Sequence, residues 1–230
     1  MTAAHSIRLL TWNIHGTFGL NPRFDLVRAI ELIRKWSPDI VALQEVDSRR
    51  QSSDGDPFEL LQRALGKHGI SARSITTADG HYGQILVSCC PICRSKVLDI
   101  SRPEREPRRA IMAEIETPAG MIRVVATHLG LSIGERRGQA RELLSLAGPA
   151  DMPTVVMGDF NDWLWAGSVR AVLARQLPGR SRFRTFPSFW PLLKLDRIFC
   201  RPAAALQTCM TDRSARTISD HLPIIADVAI

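Results

Sequence analysis

Six separated stretches of the chain place a chemically able residue where an apolar run ends or begins. Asn13 and His15 close TWNIHG, Gln44 and Glu45 lie in ALQEVD, and His128 follows the run in VVATHLG. Asp159 and Asn161 lie in VVMGDFND, Asp196 opens LDRIF, and Asp220 and His221 precede the last apolar run in ISDHLPI. Carboxylate and amide oxygens suit a hard cation such as magnesium or manganese, and no thiolate cluster calls for zinc. Magnesium held by one or two carboxylates keeps positions for water and for a phosphate oxygen. A histidine oriented by a carboxylate makes a general base near neutral pH. Neutral donors such as Asn161 and His128 stabilise charge growing on phosphate oxygens. The set reads as metal-assisted phosphoryl chemistry with water as the nucleophile. Taken singly, each residue has a plainer role. A strand-end Asn or His is commonly a turn former, Asp196 a surface ion-pair partner, and Glu45 solvent-facing polarity. Their joint occurrence carries the reading.

Such residues act together only if strand ends share a rim. Short apolar runs predict strands over residues 7–14, 39–43, 70–76, 83–88, 95–100, 110–117, 121–127, 154–157, 195–200, 204–210 and 222–228. Helical spacing predicts helices over 23–36, 57–67 and 134–146. Residues 47–56, 102–108 and 162–194 read as loops. The simplest closure is an α/β sandwich of two packed β-sheets with helices outside.

With 230 residues, 45% of them apolar, the chain is expected to form one domain over 1–230 with a sizeable core. Thirty basic against 23 acidic residues favour anionic partners: nucleic acid, phosphorylated metabolites or acidic lipid. No apolar stretch reaches a membrane span, and the N-terminus lacks the pattern of a secretory signal. An odd set of five cysteines, Cys89, Cys90, Cys93, Cys200 and Cys209, fits reduced thiols. Together these point to the cytoplasm.

The ordered series TWNIHG, LQEV, THL, GDFN, LDRIF and SDHLPI resembles the endonuclease/exonuclease/phosphatase superfamily, from Thr11 to Pro223. GDFN followed by SDHLP is its most specific part. The resemblance implies a four-layered α/β sandwich of two packed mixed sheets flanked by helices. It implies a metal-dependent hydrolase cleaving a phosphodiester or phosphomonoester. Glu45 would be the principal metal ligand, Asn13 would order the metal site, and Asp220 would add a carboxylate. His221 would activate water, held by Asp196. Asp159 would align the nucleophile or assist the leaving group. Asn161 and His128 would bind the scissile phosphate, His128 resembling the THL histidine of the deoxyribonuclease and sphingomyelinase branches. Arg109 resembles an arginine before this strand in relatives and is expected to face phosphate. Gln84 stands where relatives often carry a shorter amide. His15 is left as a supporting residue behind the site or a structural one.

Two substrate readings follow. Aromatic and apolar loops, Trp163-Leu164-Trp165 and Phe186 through Leu193, either pack over the core or meet a lipid interface beside nearby arginines. The second case makes the partner a phospholipid or small phosphoester, with peripheral membrane contact. The alternative is a magnesium-dependent nuclease, its arginines gripping phosphates. A non-catalytic binding module on the same fold would be expected to have lost a ligand or the base, and neither is missing.

Overall fold

The computed structural model describes residues 6–16, 25–49, 55–163 and 168–230. The strands are β1 (Ser6–Asn13), β2 (Ile40–Asp47), β3 (His68–Thr77), β4 (Gly80–Ser88), β5 (Ile92–Asp99) and β6 (Arg109–Thr117). Beyond them lie β7 (Gly120–His128), β8 (Thr154–Asp159), β9 (Gly179–Arg180), β10 (Asp196–Arg201), β11 (Leu206–Thr211) and β12 (Ile224–Ala229). Helices α1 (Leu26–Trp36), α2 (Pro57–Leu65), α3 (Ile133–Ala147) and α4 (Ser168–Leu173) complete the described elements.

The strands form two six-stranded sheets, ordered β11-β12-β1-β2-β4-β3 and β5-β6-β7-β8-β10-β9. Each is mixed: β1 with β2 and β7 with β8 run parallel, and the other pairs run antiparallel. Alternate residues of the central strands are buried on opposite faces, which explains their unbroken apolar runs. Leu9, Ala42 and Ala226 of the first sheet meet Ala113, Val124 and Met157 of the second between the sheets. Leu10, Trp12 and Leu43 pack outward under Ile33 of α1 and Phe58 and Leu61 of α2. Val125, Val156 and Phe199 pack outward under Ala140 and Leu143 of α3 and Leu173 of α4. The expected four layers are present.

Several boundaries differ for local reasons. Asp25 accepts hydrogen bonds from the amides of Val27 and Arg28, so α1 starts at Leu26 rather than at residue 23. β2 continues past Leu43 to Asp47, so Glu45 stands within a strand and not after one. The stretch 162–194, expected to be a loop, contains α4 and β9. Ala203–Ala205 form a 3-10 turn, and β11 begins only at Leu206. Among the described residues, no helix is long and apolar enough to cross a membrane.

Gly158 shows how tightly the sheet is set beside the site. It lies opposite Thr127 with φ +146, and a Cβ there would sit 1.9 Å from the Thr127 carbonyl oxygen. The oxygen belongs to paired backbone and the Cβ is fixed to it on the neighbouring strand, so the clash is not relieved cheaply. Gly158→Ala is expected to lower unfolding free energy by about 3 kcal/mol or more, read from urea denaturation. A loss below about 1 kcal/mol would contradict this packing.

Candidate active site

The strand ends converge on one rim, where the two sheets face each other. The first sheet brings Asn13 at the end of β1, Glu45 near the end of β2, and Asp220 and His221 just before β12. The second sheet brings His128 and Asp159 at neighbouring ends of the parallel strands β7 and β8. Asp196 opens antiparallel β10 directly opposite Asp159.

Hydrogen bonds across the two sheets knit these residues. The His221 Nδ1–H donates to Asp196 Oδ2 at 2.8 Å, and both side chains are buried. That leaves Nε2 as the ring nitrogen able to accept a proton. Asn13 Nδ2 donates to Glu45 Oε1 at 2.8 Å and to Asp159 Oδ2 at 3.0 Å. The Asn161 amide N–H donates to Asp159 Oδ1 at 2.8 Å. His221 is anchored from behind: Trp12 Nε1 donates to its carbonyl at 2.9 Å, and the Phe186 ring lies 4.8 Å from the imidazole.

The backbone is bent to deliver them. A bulge between Gln44 and Val46 leaves Glu45 out of the ladder with β4, at φ +59. The bulge breaks strand alternation and turns the carboxylate into the cleft. His15 and Asn161 also take left-handed backbones, at φ 45 and 49. For side chains other than glycine each such conformation costs on the order of 1 kcal/mol or more, and it persists where surrounding structure enforces it.

Charge is concentrated here. Burial opposes ionisation of Glu45, but hydrogen bonds from His15 and Asn13 outweigh it and hold the carboxyl at about 2. Burial also works against a charged His221, yet Asp196, Asp159 and Asp220 together push it up to about 10. His128 goes the other way. Burial and the Arg108 cation press it down to about 4, so it is neutral at neutral pH. Arg108 donates to His128 Nδ1 at 3.0 Å. This fixes the tautomer and turns Nε2–H toward Asp159 Oδ2, 3.6 Å away.

Asp159, Asp196 and His221 offer ligand atoms within 4.8 Å of one another, a group of a size that could hold a cation. His221 Nδ1 is already committed to Asp196, and Glu45 and Asp220 bring two further carboxylates to the same rim. His15 Nδ1 stands between them, 3.2 Å from Glu45 Oε2 and 3.7 Å from Asp220 Oδ1. The pairing with Glu45 raises the His15 pKa, so these two carboxylates already gather positive charge.

Of the residues singled out in the sequence, Asn13, Glu45, His128, Asp159, Asn161, Asp196, Asp220 and His221 come together. Arg109 does not, and its expected role is corrected. Its guanidinium bonds the Arg73 carbonyl at 2.9 Å and pairs with Asp99 at 3.4 Å. Neighbours in an extended chain point to opposite sides, and it is Arg108 that lines the cleft. Gln84 is buried and donates to the Arg109 carbonyl, a tie between the sheets. His15, expected to support the site or to be structural, lines the cleft beside Glu45. Its position two residues past Asn13 was the available signal. The cleft holds about 360 Å3.

The sequence profile described as Endonuclease/Exonuclease/phosphatase family matches residues 10–221. The chain belongs to this family. It is 33% identical over 248 residues to the uncharacterized protein YbhP of Escherichia coli strain K12, covering 99% of this chain and 98% of that one. An endonuclease/exonuclease/phosphatase from Beutenbergia cavernae shares the fold, with a TM-score of 0.79, 21% identity and coverage of 98% and 72%. So does D. rerio TDP2 complexed with single strand DNA product, at a TM-score of 0.69, 19% identity and coverage of 98% and 99%. Endonuclease/exonuclease/phosphatase proteins are in general hydrolases of phosphoesters and commonly use divalent metals.

Replacing Arg108 with methionine removes both the hydrogen bond and the nearby cation from His128. The His128 pKa is then expected to rise from about 4 toward the ordinary value near 6.5, followed by NMR titration of the imidazole. An unchanged titration would show that burial alone sets it.

Proposed function

We propose that this protein is a divalent-metal-dependent phosphoesterase with magnesium or manganese as its cation. The observation that carries the reading is the His221–Asp196 pair at 2.8 Å beside the ionised carboxylate of Glu45. A general base, its orienting acid and a hard-cation site thus share one rim.

The donor set fits a hard cation. Asp220 Oδ1 is buried without a hydrogen-bond partner, and Glu45 stays charged across the physiological range. Glu45 and Asp220 would hold the ion, with Asn13 ordering Glu45. When bound, such an ion would polarise a phosphate oxygen and offset the local negative charge.

The chain's own groups divide the remaining work. His221 Nε2 takes the proton from an attacking water while Asp196 steadies the imidazolium that forms. Asp159, held by Asn13 and by the Asn161 amide, aligns the water or assists the leaving group. The His128 Nε2–H and the Asn161 side-chain amide donate to phosphate oxygens as charge grows there. Arg108 keeps His128 neutral and correctly turned. A phospholipid or small phosphoester is the proposed substrate class, supported by the exposed apolar side chains near this rim, Trp163, Phe189, Trp190 and Leu192.

Hydrolysis of bis-p-nitrophenyl phosphate with magnesium tests the reading. Activity is expected that chelation abolishes, and His221→Ala and Glu45→Ala are each expected to lower it by about a hundredfold or more. Full activity in either variant, or none in the parent protein toward this diester or its monoester, would overturn the proposal.

A further inference from the structure

A second cavity of about 470 Å3 lies beside the catalytic rim, on the opposite side of its supporting backbone. Neighbouring residues separate the two. Asn161 lines the cleft and Asp162 this cavity, and on β10 the buried Asp196 bonds His221 while Arg197 lines this cavity. Six cations line it: Arg170, Arg180, Arg182, Arg184, Lys194 and Arg197. The acid among its lining residues, Asp162, is buried and has Arg136 Nε 3.9 Å from Oδ1. Arg197 donates to the carbonyls of Lys194 and Asp162. The side chains of the other five make no ion pair or hydrogen bond with any described residue. Burial and the cations of Arg197, Arg184 and Arg182 lower the Lys194 pKa. Six cations gathered around one buried acid leave a strongly positive patch that attracts anions.

The rim of this cavity is apolar. Trp163 and Leu192 line its mouth and are each 54% exposed. Leu192 belongs to a tight hairpin closed by the bridge between Phe186 and Leu193, with paired backbone hydrogen bonds. Its tip carries Phe189 and Trp190, the latter 74% exposed. Leu164 and Trp165, part of the same apolar pattern in the sequence, lie outside the described residues. Large apolar side chains clustered on a surface mark an interaction site.

The hairpin is also tied to the base. Ser188 donates from its amide to the Asp220 carbonyl and from its hydroxyl to the Ser219 carbonyl, and Phe186 packs on His221. Whatever the tip touches is held at a fixed distance from the catalytic pair.

We propose that this face docks on an anionic phospholipid surface. The six cations take headgroup phosphates, and Phe189, Trp190 and Leu192 enter the interfacial layer. Charge complementarity selects an anion, and the hairpin tip selects the membrane over a nucleic-acid strand. Stacking of bases needs aromatic rings along the basic groove, and Trp163 is the one aromatic among its lining residues. Aromatic and aliphatic side chains at a tip flanked by arginine and lysine are what a lipid interface accommodates. The inference deepens the proposed function by naming the surface on which substrate is met, but docking itself needs no turnover.

Co-sedimentation of the full chain with vesicles, in chelator, provides the test. Vesicles of phosphatidylcholine and phosphatidylglycerol in equal parts are expected to bind it, and phosphatidylcholine alone much less. Arg182→Glu with Arg184→Glu is expected to weaken binding by about tenfold or more. Phe189→Ser with Trp190→Ser should weaken it as well, with the circular dichroism spectrum unchanged in both. Equal binding to neutral vesicles, wild-type binding by either double variant, or binding of a single-stranded oligonucleotide without vesicle binding would overturn the proposal. Diester hydrolysis by the parent protein, measured alongside, separates the two readings. If the parent protein hydrolyses the diester but ignores the anionic vesicles, only the docking inference falls.

Discussion

A buried imidazole hydrogen-bonded at 2.8 Å to a buried carboxylate, across the gap between two sheets, is the interaction on which the rest of this structure depends. Taking such a pair out of water is costly unless its partners are fixed and the surrounding charge is balanced. The fold supplies the first condition. Asp196 is held in register against Asp159 by β8 and β10, and His221 is held by Trp12, Ser219 and the Phe186 ring. It does not supply the second. Asp159 and Asp220 add negative charge around the pair, and His221 answers by holding its proton to about 10. A base that keeps its proton at neutral pH cannot take another. In the proposed reading a bound cation would offset this charge and free the imidazole to act, and the oxygens here are the kind a hard cation prefers.

The strained backbone at His15, Glu45 and Asn161 belongs to the same account. All three line the cleft. The cost is spread over a scaffold that sets apolar side chains between the sheets and under the helices on both outer faces. That rigidity holds side chains from distant parts of the chain within hydrogen-bonding range. It also extends outward, since the backbone that positions Asp196 and His221 continues into the basic cavity and the apolar hairpin.

Much of this was legible in the sequence because strand ends are local signals. An apolar run followed by Asn, Glu, His or Asp states both the element and the residue at its end. The fold class followed from the alternation of such runs with three helical stretches. Properties set by nonlocal pairing were not legible. Arg108 and Arg109 are adjacent, and choosing between them requires the register of β6 against its neighbours. The bulge that turns Glu45 inward arises only where β2 meets β4. The role of His15 depends on Glu45 of the neighbouring strand and, further off, on Asp220 from the far end of the chain. The fate of the Phe186 to Leu193 loop turned on a closing bridge that residue types alone do not reveal, and the structure leaves its tip exposed.

The most direct measurement of the central claim is the pKa of His221, followed by NMR without metal and then with saturating magnesium. The account predicts titration near 10 without metal and a fall of at least about a unit toward 6.5 when the ion is bound. A pKa that magnesium leaves unchanged would contradict it, as would magnesium-induced shifts confined to residues away from Asn13, Glu45 and Asp220.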